Sequence, residues 1–315
     1  MMQEEASKTP SITAMVPKIS PRLEDIVGKS KEFVEDFKLY QDSAGIFSSM
    51  GVSAPSTYLL EGVPGTGKTF GIHALNNTYN MRAMLKLMNG EEAKVDDFDL
   101  VVFEYSIGHH GTPYINQGSR NVQAVFDYAG MIARIGKPVL LFIDEADAVL
   151  GARGSSMQSH AEDNKVLETI MKNLQLAHDT PNFNVALATN TPGACDEASL
   201  RAGRIDKKYT FKLPNMEERV AAYNSFIHKS CQDAGYKVIR QFDSEELAEM
   251  SDKFSYADMR QTVDAAVIQR AKELALTSEK GIITAGYVTQ KRLKEAALEH
   301  RKSFVKKAEK KSIGF

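Results

Sequence analysis

The chain has 315 residues, 43% of them hydrophobic and 25% charged, which is the composition of a soluble globular protein long enough for two domains of ordinary size. A formal net charge of −2 supplies no global field that would draw it to nucleic acid or to an anionic membrane. Its two cysteines, Cys195 and Cys231, have neither metal-ligand spacing nor the makings of a disulfide framework.

Residues 1–20 carry Pro10 and Pro17 but no apolar core of a secretion signal, and they are expected to form a flexible leader. No apolar run approaches the roughly 20 residues needed to cross a bilayer, so a cytoplasmic protein is expected. After residues 23–28, a helix is predicted over 30–41.

The next segment carries the first chemistry. Tyr58, Leu59 and Leu60 form a short apolar run fit for a buried strand, and residues 70–75 continue as a helix. Between them lies Gly62-Val63-Pro64-Gly65-Thr66-Gly67-Lys68-Thr69. Strand, glycine-rich loop and helix in that order make a triphosphate cradle: the glycines let backbone N–H groups turn inward, Lys68 can reach the β and γ phosphates, and the Thr69 hydroxyl can hold Mg²⁺. Pro64, Gly65, Thr66, Gly67, Lys68, Thr69 and Phe70 are the candidate nucleotide contacts of this stretch.

Residues 77–97 are harder to place. Met81, Met84, Leu85, Leu87 and Met88 recur at helical spacing, and such methionines are expected to fill a gap against the protein's own sheet, an adaptable binding surface being the alternative. A second strand is predicted over 100–105, a loop over 108–113 and an amphipathic helix over 122–135. The adjacent histidines of that loop, His109 and His110, lack further ligands nearby, and the peptidase pattern H-E-x-x-H is absent throughout.

Residues 139–143 are five consecutive apolar residues, right for a strand covered on both faces. Asp144 and Glu145 follow at its carboxyl end, where ligands bind in open parallel sheets. Asp144 would hold Mg²⁺ and Glu145 would orient and activate the attacking water. Together with the cradle, the pair indicates ATP hydrolysis with ATP and Mg²⁺ as the ligands.

A flexible stretch over 151–159 precedes a helix predicted over 164–177. Strands over 184–188 and 209–213 complete a layer in which strands and helices alternate, the mark of a parallel sheet covered on both faces. From Pro214 onward only helical periodicity is seen, over 217–231, 244–254, 256–276 and 284–307. The fold class expected is α/β, a P-loop NTPase three-layer parallel sheet followed by a small all-helical lid. The domains are a large nucleotide-binding domain over 21–214, the lid over 215–301 and a basic tail over 302–315.

In combination these segments resemble the AAA+ ATPases, and within them the AAA clade proper with its katanin-like and membrane-protease members. Leu23-Glu24-Asp25-Ile26-Val27-Gly28 looks like that family's amino-terminal signature, which implies that Ile26, Val27 and Gly28 line the adenine pocket. Ala188-Thr189-Asn190 is similar to its sensor 1 strand end, and a neutral Asn190 can hold the attacking water without altering local charge. Arg201-Ala202-Gly203-Arg204-Ile205-Asp206 resembles the arginine-finger segment, so Arg201 and Arg204 are implied to neutralise transition-state charge in a neighbouring subunit's site. That implies a homo-oligomeric ring, most often of six subunits.

Tyr114-Ile115-Asn116-Gln117-Gly118-Ser119, with Phe126 beyond it, resembles the first pore loop, which implies Tyr114 as the ring that grips polypeptide and Ile115 as its support. Asn116 stands where the family often has glycine. Phe254-Ser255-Tyr256-Ala257-Asp258-Met259 resembles the motif that closes over the nucleotide base, implying contact near Ala257, but Tyr256 replaces the family's glycine. The function implied is ATP-driven remodelling, unfolding or disassembly of a protein substrate, with the substrate or an adaptor as partner. The alternatives are a nucleotide-switched assembly protein that never threads, and a nucleic-acid loader or motor, which the near-neutral charge disfavours.

Overall fold

The strand that feeds the glycine-rich loop, β2 (Thr57–Gly62), is buried along its whole length. Neighbouring side chains point to opposite faces of a strand, so an unbroken apolar run needs cover on both. Tyr58 meets the rings of Phe33 and Phe37 from helix α1 (Gly28–Asp42). Leu59 joins the opposite core, built with helices α5 (Gln117–Arg134) and α6 (Ser159–His178). Sheet and helices therefore form three layers.

The computed structural model describes residues 13–107, 117–147, 159–191, 193, 205–277 and 286–312. Five strands run parallel: β2, β3 (Val101–Ser106), β4 (Val139–Asp144), β5 (Phe183–Thr189) and β6 (Lys207–Phe211). A two-residue β1 (Thr13–Ala14) joins the β3 edge antiparallel, and the order across the sheet is β1-β3-β4-β5-β2-β6. β5 thus lies between the strand that enters the loop and the strand that ends in the carboxylates. All five parallel strands end on one edge, which gathers Gly62, Ser106, Asp144 and Thr189 there.

The first strand and its tether were not legible in the sequence. Met15 N–H donates to the Val102 carbonyl at 2.7 Å, and asparagines on helix α3 (Lys68–Tyr79) hold the stretch that follows. Lys18 N–H donates to Asn77 Oδ1 and Asn77 Nδ2 to the Pro21 carbonyl, both at 2.7 Å. The leader is tied to the sheet from Thr13 onward. Asn80, just after α3, accepts the N–H groups of Asp99 and Leu100 and so fixes where β3 begins.

A short helix α2 (Ala44–Ser49) precedes β2, and helix α4 (Met81–Met88) follows α3. Two turns of helix can bury only a narrow stripe, and Ala83 and Met84 take it. Met81, Leu85 and Met88 remain 44%, 53% and 59% exposed, so the expectation that these methionines fill an internal gap holds for Met84 alone.

By its contacts the chain divides into two units. The first comprises the sheet and its helices. The second takes residues 26–28, 64–67 and everything from Lys212 onward, including helices α7 (Met216–Ala234), α8 (Ser244–Met250), α9 (Tyr256–Thr277) and α10 (Gln290–Ser312). Tyr223, Leu247, Phe254, Met259, Val263 and Leu293 make its core. Each such side chain removed from water contributes about 2 kcal/mol. The helix ends follow from the sequence: Asn215 and Glu218 cap α7 reciprocally, and Gly235 closes it in the left-handed conformation. The last helix starts later than its periodicity suggests, because Val288 is used in a parallel bridge to Ile239.

Candidate active site

In the first unit the phosphate-loop lysine is buried, 5% exposed, and folded back on the strand it follows. Its Nζ donates to the Gly62 carbonyl at 2.6 Å and to the Val63 carbonyl at 3.2 Å. Burial pushes the Lys68 pKa down, against the pull of the Asp144 and Asp147 carboxylates, which favour the charged form. An ammonium group desolvated in this way gains strongly from an anion that replaces the two carbonyls.

Thr69 Oγ1 donates to Asp144 Oδ2 at 2.9 Å, joining the first turn of α3 to the end of β4. This hydroxyl and carboxylate are a hard oxygen pair of the kind Mg²⁺ selects. Asp144 Oδ1 accepts the Glu145 N–H at 2.7 Å. Glu145 itself has φ 56°, a left-handed conformation that costs a non-glycine residue about 1 kcal/mol or more. The chain turns sharply there, and Ala146 N–H returns to the Ala188 carbonyl on β5 at 2.9 Å. Ser106 Oγ, at the end of β3, donates to Glu145 Oε2 at 2.7 Å and so sets the direction of that carboxylate.

Asn190 leaves β5 with its backbone N–H on Asp147 Oδ1 at 3.1 Å. Lys68, Thr69, Asp144, Glu145 and Asn190 therefore all belong to the carboxyl edge of one sheet. Ser106 and Asp147 were missed as site residues. Asp147 could have been noticed as a third carboxylate three places after Asp144; Ser106 carries no local signal.

Within the second unit, Gly28 and Gly65 each adopt positive φ, 61° and 78°. A Cβ on Gly65 would lie 2.6 Å from Ser255 Oγ and 3.0 Å from Ala257 Cβ, and the Gly65 carbonyl accepts the Ala257 N–H at 3.2 Å. The loop backbone thus needs glycine to reach helix α9, and Ala257 is where the contact is made. A Cβ on Gly28 would meet Tyr256 Oη and Glu218 Oε1, each at 2.6 Å. The tyrosine that replaces the family's glycine places its hydroxyl over the Gly28 backbone. Burial and then the Glu218 carboxylate push the Tyr256 hydroxyl pKa up, so it remains protonated.

Of the remaining second-unit candidates, Ile26 and Thr66 are buried, Val27 packs on the core of that unit, Gly67 is half-buried and Pro64 is exposed. Phe70, on α3 of the first unit, is 40% exposed. Arg201 and Arg204, Tyr114 and Ile115, and His109 and His110 lie outside the described residues. Asp206, the last residue of the arginine-bearing segment, is held at the start of β2: its Oδ2 accepts Ser56 N–H at 2.8 Å and Thr57 Oγ1 at 2.9 Å. Phe126 is a core residue, edge-on to Phe183.

The family model described as "ATPase family associated with various cellular activities (AAA)" matches residues 58–213. The proteasome-activating nucleotidase of Methanothermobacter thermautotrophicus is 29% identical over 288 residues, 89% of this chain and 61% of that protein. The 26S proteasome subunit RPT4 of Saccharomyces cerevisiae is 30% identical over 73% of this chain and 46% of its own length. The ATP-dependent zinc metalloprotease FtsH 1 of Sphaerobacter thermophilus is 32% identical over 77% of this chain and 33% of its own. The chain covers less than two thirds of the length of each of these relatives. No helix among the described residues is long and apolar enough to cross a membrane.

Proposed function

The chain belongs to the AAA ATPase family, and from that premise we propose that it is a magnesium-dependent ATPase acting in the cytoplasm as a homo-oligomeric ring, hexameric in number, that remodels, unfolds or disassembles a protein substrate through a central pore. The observation that carries the hydrolytic part is the Thr69–Asp144 contact with Glu145 next in the chain. Relatives named for the proteasome and for proteolysis support a polypeptide as the substrate.

Ile26, Val27, Gly28 and Ala257 take the base, and Pro64 to Phe70 the phosphates. Lys68 donates hydrogen bonds from its ammonium group to phosphate oxygens in place of the Gly62 and Val63 carbonyls. Thr69 and Asp144 are the residues that would hold Mg²⁺, which supplies charge neutralisation on the phosphates when bound. Glu145 orients a water and accepts its proton as the oxygen–phosphorus bond forms and the bridging bond to the leaving diphosphate breaks. Asn190 holds the same water on its other side. Arg201 and Arg204 of a neighbouring subunit neutralise the charge that develops.

The ring is tested by mixing two inactive variants, Glu145→Gln and Arg204→Ala, and letting subunits exchange. Each mixed ring then contains junctions where an intact Glu145 faces an intact Arg204. At equal input phosphate release is expected to reach roughly a quarter of the unaltered rate, the fraction of such junctions in a head-to-tail ring. A mixture as inactive as its parts counts against a shared site.

The pore is tested separately. Tyr114→Ala is expected to keep basal phosphate release within about twofold while losing the processing of an unfolded polypeptide, because an aromatic grip contributes to traction and not to hydrolysis. Undiminished processing by this variant removes the pore assignment. The exposed apolar residues Met81, Leu85 and Met88 of α4 favour a second reading, in which nucleotide switches assembly or docking without threading. A partner that stimulates turnover and is itself left intact would favour it.

A further inference from the structure

Glu61 is a carboxylate in the interior of a buried strand. It stands one place before Gly62, is 4% exposed, and lies in register between Thr189 of β5 and Thr210 of β6. Both of its oxygens are engaged: Oε1 accepts Thr210 Oγ1 at 2.9 Å and the Lys208 ammonium at 2.9 Å, and Oε2 accepts the Gly193 backbone N–H at 3.1 Å. Burial would raise its pKa, yet Lys208, the Gly193 amide and Thr210 together hold it below the usual range, so Glu61 stays ionised near neutral pH. An ionised group in such a place persists only when its partners are fixed.

What it holds is the turn that leaves β5. That turn begins at Asn190, whose N–H is on Asp147 Oδ1, and reaches Gly193, whose N–H is on Glu61 Oε2. Because β5 lies between β4 and β2 in the sheet, the turn is tethered from both sides. Asp147 holds it from beyond β4 and Glu61 from β2. An apolar residue at position 61 would fill the strand equally well and could not reach Gly193.

We infer that Glu61 is a positioning residue for hydrolysis: through the Gly193 amide it fixes the turn that carries Asn190 relative to the strand that feeds the phosphate loop. The inference rests on the proposal that Asn190 holds the attacking water. Glu61 acts on the geometry of the transition state and not on nucleotide capture, since its carboxylate is engaged by Gly193, Thr210 and Lys208, while Lys68 and Thr69 bond to Gly62, Val63 and Asp144.

Two variants test it. Glu61→Gln keeps the shape but sets an amide NH₂ among donors. Glu61→Asp keeps the charge beside Lys208 but withdraws the carboxylate from Gly193 by one methylene, and so protects against loss of the fold. Each is expected to lower kcat for ATP about tenfold with KM changed less than about threefold. In an Asn190→Ala background either substitution should add less than about twofold, because the two residues act as one. Full kcat in Glu61→Asp, or an undiminished tenfold loss on top of Asn190→Ala, overturns the inference. If Asn190→Ala itself hydrolyses ATP at the unaltered rate, the reading of Asn190 fails and takes the inference with it; if only the Glu61 variants are silent, the inference alone falls.

Discussion

Glu145→Gln is expected to lower phosphate release by at least about a hundredfold while ATP affinity stays within about threefold of the unaltered protein. Glutamine has the same shape and the same tolerance for the left-handed backbone at this position, so the turn at φ 56° is preserved. Its amide oxygen can still accept the Ser106 hydroxyl that now holds the carboxylate. What is removed is the ability to take a proton from water, a step made only in the transition state. Phosphate contacts from Lys68 and the Thr69–Asp144 pair are untouched, so ground-state binding survives. A coupled phosphate-release assay beside a titration with a fluorescent ATP analogue separates the two quantities. Turnover within tenfold of the unaltered rate would remove Glu145 from its role.

Lys68→Ala is expected to weaken ATP binding by about a hundredfold or more. A charge-assisted hydrogen bond is worth about 1.5–3 kcal/mol, and Lys68 has two to offer the phosphates. The energy available is large because the ammonium is buried and, among the described residues, donates its hydrogen bonds to the Gly62 and Val63 carbonyls. The same substitution removes the buried hydrogen bond to the Gly62 carbonyl, so a loss of about 1 kcal/mol in stability is expected alongside. Thermal unfolding with and without nucleotide reports both effects. The unaltered chain should gain stability with ATP and the variant should not; an equal gain in both would show that Lys68 does not touch the nucleotide.

The parts of this molecule that were legible in the sequence are those whose chemistry is local. The phosphate loop is eight consecutive residues bounded by a strand and a helix, and the carboxylates follow directly on an apolar run, so spacing alone marked Lys68, Thr69, Asp144 and Glu145 as candidates. The strands β2, β4 and β5 were visible because each is buried on both faces and carries a run of apolar residues at its centre. Glu61 and Ser106 were not visible, since a single polar residue within or at the end of a strand announces no partner. Glu61 finds Gly193 and Thr210 only after the sheet has brought together segments 132 and 149 residues apart. β1 escaped notice for a similar reason: two residues carry no period, and the Asn77 clamp that holds the stretch beyond them belongs to a helix some sixty residues away. The face of α4 was misjudged because helical spacing reports an amphipathic pattern without saying whether anything lies against it.

The edge of the sheet where Lys68, Thr69, Asp144, Glu145 and Asn190 converge is held to be a site of magnesium-dependent ATP hydrolysis. The most direct measurement is the initial rate of phosphate release from ATP by the purified, unaltered chain, over a range of ATP concentrations, with magnesium and again with an excess of chelator. Saturable release that disappears with the metal is the result expected. No release at any ATP concentration, or release that is indifferent to the chelator, would contradict it.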